Sequence, residues 1–367
     1  MIPASLYIYV YLFVVFVLTR YYSTDYCRFS IQGNNYQRKK TLPIAGLVLT
    51  FLLVLVIGNR PIERVLGDTT SYAELYLASR GISFFFDPFA QNFIFDNLFM
   101  WCASVGLPVS AFFTIIAFVY FGGIFIACNK LFPQAKMLSY VVYLGAFSTF
   151  PYGVNGIKSG AAAAIFLLAI AYRNNRFLSS LLIVLSWGFH HSMLMVIAAY
   201  LIVSVLKNPK YYFYIWLFCL IISSLHINFF QFLLASYADE QAQGYLNPDE
   251  LGNTYITGFR FDFVLYSAVP VWIGYKKYRN QYNSKVYWLL LNLYVLTNSI
   301  WMLCMYASYT NRIAYLSWFL YPWVLLYPFV DNKGNLRLSK KRLLAIINGH
   351  FAFTLFMTFV YFVRGLS

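Results

Sequence analysis

Long apolar stretches separated by brief polar interruptions run through this chain from end to end. They place helices near residues 3–19, 42–58, 109–128, 137–152, 159–172, 177–189, 192–206, 211–234, 261–275, 286–305, 313–330 and 343–363. Roughly 20 apolar residues cross a bilayer as a helix. The pattern therefore predicts an all-α polytopic membrane protein with about twelve spans, eleven to thirteen at the limits, forming a single integral membrane domain over residues 1–367. Two places break the pattern. The run Phe177–Leu206 is too long for one span and is interrupted by His190, His191 and Ser192, which predicts two short helices meeting at the histidines. Irregular backbone at membrane depth is tolerated only against protein or a wet cavity, so a broken helix there is a candidate site. The stretch Phe89–Leu107 is apolar but carries Asp96 and Asn97 between Pro88 and Pro108. It reads as a re-entrant or interfacial helix within an outer segment 59–107.

Charge fixes the expected orientation. With the N-terminus outside, the inner loops are 20–41, 129–136, 173–176, 207–210, 276–285 and 331–342. They hold 20 of the 27 Lys and Arg residues and only Asp25 and Asp331 among the acids, while the outer parts hold 7 basic and 10 acidic residues. This is the positive-inside bias, repeated at every inner loop. The formal charge of +15 is thus topological, with anionic lipid headgroups as its expected partner and no nucleic acid. A chain 61% hydrophobic and 11% charged has almost no room for a soluble domain. The first apolar segment is long and lacks a basic leader, so it reads as a span and not a cleavable signal.

Seven basic residues lie outside in this arrangement, and four of them sit tight against a predicted span: Arg60, Lys158, Arg260 and Arg312. Cations kept at an outer mouth suit an anionic substrate, and the planar fork of Arg suits phosphate. The alternative is local pairing, Arg60 with Glu63 or Arg260 with Asp262. A second outer segment, 235–260, adds Asp239, Glu240, Asp249, Glu250 and Asn253. No P-loop, GxGxxG or nucleophile elbow is present. The five cysteines show no disulfide or metal spacing, and His190–His191 lacks a third ligand, so no metal or cofactor is expected. His226 and His350 fall mid-helix and read as residues bonded within the bundle. The small-residue run Gly160–Ala164 suits tight helix packing.

Four short motifs, in this order, resemble those of the EpsG-type members of the Wzy-like polysaccharide polymerases. They are Arg60 followed by Gly67-Asp68 and Tyr72; NGIKSGAAAAI through Asn155 and Ile157; FHHSMLM through Phe189, His190, Ser192 and Leu194; and NRIAYLSWFLYP through Arg312. The resemblance covers about residues 55 to 330. Lys158 and Ser159 stand where that family has Arg and Gln, and His191 is an addition. The resemblance implies a GT-C-like architecture with broken helices around an outer-facing cavity. It implies a metal-independent glycosyltransferase in a bacterial plasma membrane, joining oligosaccharide repeat units carried on undecaprenyl diphosphate, with a flippase and a chain-length regulator as possible partners. Its implied catalytic residues are His190, as general base or acceptor-positioning group, with His191 leaving the reactive histidine open, and Asp68, orienting that base or the acceptor sugar. Arg60, Lys158, Arg260 and Arg312 would hold diphosphate, and Asn155, Tyr72 and His191 complete the substrate-binding set. An O-antigen-ligase-like transferase, an acyltransferase and a lipid-linked oligosaccharide flippase are the competing classes.

Overall fold

The computed structural model describes residues 3–31, 42–227, 258–330 and 340–363, and among these every regular element is helical, with no strand. Among the described residues five helices are long and apolar enough to cross a membrane: Ala4–Cys27, Val109–Leu131, Lys285–Leu303, Thr310–Val330 and Lys341–Val360. Shorter apolar helices stand at Ile44–Gly58, Ile157–Ala171, Arg176–Phe189 and Met193–Val205. The chain is a helical membrane protein. Asp239, Glu240, Asp249, Glu250 and Asn253 of the segment 235–260 lie outside the described residues.

Local chemistry sets several helix starts. Pro43 and Pro108, both extended, precede Ile44–Gly58 and Val109–Ala117. Side-chain oxygens satisfy first-turn amides elsewhere: Asn175 accepts from Leu178 N–H at 3.1 Å, Asn208 from Lys210 N–H at 3.0 Å, and Ser284 from Tyr287 N–H at 3.4 Å. Pro209 adds the fixed φ that suits a first helical residue.

By contacts the chain falls into two compact units, the first made mainly of residues up to Leu194 with the last helix, the second mainly of Met195–Pro328. In the first, Tyr7–Ile31, Lys136–Leu144 and Lys340–Val363 are tied by polar side chains to backbone carbonyls. Tyr11 donates to Leu144 O at 2.7 Å, His350 Nε2 to Val142 O at 3.1 Å, and Thr354 to Gly145 O at 2.8 Å. Ile157–Ala171 receives Arg176–Phe189 along its small-residue face, where Ser186 Oγ donates to Ala162 O at 2.8 Å and Ser179 Oγ to Ala169 O at 3.0 Å. Val109–Ala117 and Gly123–Leu131 are joined by a π turn, Phe118–Gly122, whose Tyr120 hydroxyl donates to Thr149 O at 3.0 Å.

The second unit is organised on Asn298, fully buried in helix Lys285–Leu303. Its Oδ1 accepts from Trp216 Nε1 at 2.9 Å, and its Nδ2 donates to Ser267 Oγ at 3.0 Å and Ser317 Oγ at 3.1 Å. Trp318 Nε1 also donates to Ser267 Oγ at 2.9 Å. Helices from four parts of the sequence are thereby fastened by one satisfied polar group, which suits an environment without water.

Three expectations need correction. The first helix does not stop near residue 19 but continues through Ile31, where Arg20 Nη1 donates to Asn348 Oδ1 at 2.7 Å. The helix expected over 137–152 is two, Lys136–Leu144 and Thr149–Val154, because Gly145 ends the first and Thr149 turns its hydroxyl back to Tyr143 O at 2.7 Å. The helix expected to reach 234 is Pro209–Ser224, so His226 is not mid-helix. His226 takes the left-handed conformation (φ 58°) just past the end, with its amide bonded to Ser223 O and that of Ile227 to Ile222 O. That is the helix-terminating pattern usually given to glycine.

Candidate functional site

The chain after Ile44–Gly58 reverses through the turn Arg64–Leu66 and Gly67 before Thr69–Ala78 begins. Gly67 has φ 66° and ψ −132°, a conformation side-chain-bearing residues rarely adopt. It also leaves room for Asn155, since a Cβ on Gly67 would lie 2.5 Å from Asn155 Cγ. The Asn155 Oδ1 accepts from the next amide, Asp68 N–H, at 2.9 Å. Asn155 and Gly156 form the break between Thr149–Val154 and Ile157–Ala171. The Gly67-Asp68 turn is therefore clasped onto a helix break 87 residues away.

Arg60 joins the same junction. Its side chain is 4% exposed and lies over the Phe113 ring, with 4.0 Å from the guanidinium carbon to the ring centre. Nε donates to Thr69 Oγ1 at 3.0 Å, Nη1 to Ile57 O at 3.0 Å and Nη2 to Val154 O at 3.2 Å. Burial lowers its pKa to about 10, which leaves it protonated at neutral pH. Carbonyl oxygens and an aromatic face share the charge, and Glu63, the alternative partner, makes no ion pair with it. A buried cation bonded to neutral oxygens is little screened by water and so carries positive potential into the junction.

Helix Phe93–Ser104 gathers the remaining motif residues. Phe95, 1% exposed, meets Tyr72 with ring centres 6.2 Å apart, Phe189 at 6.4 Å, and the Lys158 ammonium 5.0 Å from its ring centre. Lys158 Nζ donates to Asp96 Oδ1 at 3.0 Å, a pair about 30% exposed (27% and 31%). The other oxygen of Asp96 accepts from the Asn92 amide at 3.1 Å, and Asn92 Oδ1 accepts from the His191 amide at 3.0 Å. A continuous polar chain thus links the Lys158 break to the histidine break. Gly188 permits the close seating of Arg176–Phe189, since a Cβ there would lie 2.5 Å from Ile94 Cδ1.

The break itself falls where the sequence places it, between Arg176–Phe189 and Met193–Val205. His190 is extended (φ −152°, ψ 120°), and its carbonyl accepts the Met193 amide at 3.0 Å. Its Nδ1 lies 3.2 Å from Ser192 N and 2.7 Å from Ser192 Oγ. The His190 and His191 rings lie nearly parallel, 6.0 Å apart at 16°.

Three of the four sequence motifs therefore meet in one unit: Tyr72, Lys158, Phe189 and His191 reach Asn92, Phe95 or Asp96, while Asp68 and Asn155 join at the turn that Arg60 ties to Val154 O. A family model described as the EpsG family matches residues 44–366. The chain belongs to the EpsG family. No curated protein and no solved structure matches it.

The other two predicted residues of this EpsG-family chain belong to the second unit. Arg260 forks onto Asp262, Nε to Oδ1 at 2.9 Å and Nη2 to Oδ2 at 2.7 Å, and lies over Phe263 at 3.7 Å. The local pair anticipated as the alternative is thus formed. Arg312 stands in the first turn of Thr310–Trp318, its guanidinium 4.8 Å from the Tyr309 ring centre. Tyr309 holds a left-handed conformation (φ 52°, ψ 35°) at that helix start, a strained state for a bulky residue.

Asn92, Phe95 and Asp96 are the site residues that sequence reasoning missed. Their spacing of three and four puts them on one helix face, and that signal was there to be read. Among the described residues no group of three or more His, Cys, Asp or Glu could hold a metal ion.

Proposed function

We propose that this chain polymerises polysaccharide, joining oligosaccharide repeat units carried on undecaprenyl diphosphate at the outer face of a bacterial plasma membrane. EpsG-family membership suggests a polymerase of this type. The observation that carries the reading to residues is the convergence of Tyr72, Lys158 and Phe189 on Phe95, which joins three motifs at two adjoining helix breaks. The proposal includes about twelve spans with both termini outside, and a GT-C-like arrangement in which the breaks face the outer leaflet.

Bond making and breaking need little beyond placement and charge. The acceptor hydroxyl attacks the anomeric carbon, the carbon–oxygen bond to diphosphate breaks, and negative charge grows on the departing oxygens. Cationic groups placed where that charge develops lower the barrier. Lys158, partly exposed beside Asp96, is the proposed direct contact. Arg60, held by Thr69 and two backbone carbonyls, supplies charge and shapes the turn carrying Asp68 and the start of the helix carrying Tyr72. Asp68 and Tyr72 are proposed to meet the sugar, Asn155 to hold the turn, and His190 to meet the reacting groups, with His191 anchored to Asn92 at the break. In the second unit, Arg312 is proposed to bind an anionic group of the substrate, and Arg260 to act through its Asp262 pair. No metal is assigned a role.

The test is the glycan profile of a strain lacking the gene. Loss of long chains with accumulation of single lipid-linked units supports a polymerase. Full-length chains stranded on the lipid carrier mean a ligase, and units trapped on the inner leaflet mean a flippase.

A further inference from the structure

His190 is the group for which the geometry says more than the function requires. A backbone amide can only donate, so the approach of Ser192 N–H to Nδ1 at 3.2 Å makes Nδ1 an acceptor. Ser192 Oγ, at 2.7 Å, then turns its hydroxyl proton toward the same lone pair. A proton on Nδ1 would point at the Ser192 amide hydrogen. The His190 carbonyl also accepts the Met193 amide, so the residue supports the first turn of Met193–Val205 through its backbone, while its ring holds the Ser192 amide just before that helix. Neutral imidazoles held at helix N-termini serve elsewhere as hydrogen-bond donors and not as bases.

We propose that His190 is held as the neutral tautomer with its proton on Nε2, and that it acts as a hydrogen-bond donor to the departing diphosphate, not as the general base. This rests on the polymerase reading above. In the step it serves, the acceptor oxygen–carbon bond forms and the carbon–oxygen bond to diphosphate breaks. The acceptor's proton passes to the released diphosphate, whose oxygens gain basicity as the sugar leaves. His190 keeps its own proton throughout. Ser192 is then a positioning residue, fixing which ring nitrogen carries hydrogen, and this gives the serine of the FHxS motif a physical reason. Among the described residues, titratable groups at this break include His191, parallel to the ring at 6.0 Å, and the Asp96–Lys158 pair, joined to it through Asn92.

The test uses full-length protein purified in detergent and lipid-linked single units extracted from the deletion strain, with polymer formation followed across pH. His190→Gln puts an amide donor near the Nε2 position but has no basic nitrogen. His190→Asn keeps an acceptor for Ser192 and has nothing at Nε2. The donor role predicts that Gln retains activity within about tenfold, as one imperfect hydrogen bond costs. Asn and Ala should lose about 10²–10³-fold, as loss of a transition-state donor does. It also predicts that wild type and the Gln variant share the same acidic limb. Thermal unfolding of each variant confirms that it is folded. A folded Gln variant as inactive as Ala, or an acidic limb present in wild type and absent from Gln, restores the base and overturns the assignment. Wild-type rates in Asn and Ala overturn it as well. Wild-type protein that forms no polymer at all removes the polymerase reading, and this assignment with it.

Discussion

Gly67→Ala should be among the most damaging small substitutions in this protein, and the structure gives the size of the effect. At φ 66°, ψ −132° a Cβ-bearing residue is strained by about 1–3 kcal/mol. The added carbon would also sit 2.5 Å from Asn155 Cγ and 2.6 Å from its Oδ1. Asn155 must then move and give up its 2.9 Å bond to the Asp68 amide, a loss of about 1 kcal/mol. The sum is about 2–4 kcal/mol. Asn155→Ala alone loses only the hydrogen bond, about 1 kcal/mol. The double variant has the strain and the lost bond but no clash, so the two should couple by about 1 kcal/mol in the relieving direction, within the range for residues in contact. Thermal unfolding in detergent measures stability, and glycan chain length in the deletion strain measures function. Gly67→Ala with wild-type unfolding and full-length glycan would refute the clasp, and strict additivity of the two substitutions would refute the close approach.

Lys158→Arg should keep long glycan chains, because a guanidinium can still bond Asp96 and lie on Phe95, whereas Lys158→Met should shorten them; both should leave stability within about 1 kcal/mol, since the pair is partly exposed. Asn298→Leu strands the Trp216 and Ser267 partners and should lower the unfolding temperature by several degrees at a cost of about 1–3 kcal/mol, with normal chain length at permissive temperature. Cysteines placed at the exposed positions Ser71 and Asn283 test orientation with an impermeant reagent in intact cells. Labelling at 71 alone is expected, and labelling at 283 alone would invert the proposed topology.

The helix pattern was largely legible because membrane helices must be long and apolar, and because prolines and polar breaks punctuate them. The split at His190–Ser192 is legible from two signals, an apolar run too long for a single span and the polar residues that interrupt it. The contents of Phe89–Leu107 are less legible. In the sequence Asp96 and Asn97 mark only obstacles to spanning, yet Asp96 receives Lys158 and Asn97 folds the preceding turn by accepting the Asp87 amide at 2.7 Å. Partner choice for cations was likewise hidden. Arg260 took the acid two residues away, while Arg60, with Glu63 three residues off, took Thr69 and carbonyls instead. Sequence distance does not say which side chain a turn will bury, and the Arg60 turn is set by Asn155, far along the chain. His226 was misplaced because its helix ends in a left-handed residue that is not glycine.

Reconstitution of the purified full-length chain into liposomes with lipid-linked single units tests the central claim most directly. The account predicts a ladder of lengthening glycans still attached to the lipid carrier, with release of one undecaprenyl diphosphate for each unit added, and the ladder should fade in the His190→Ala protein. Single units that remain single with properly folded wild-type protein, or that merely change leaflet, would contradict it.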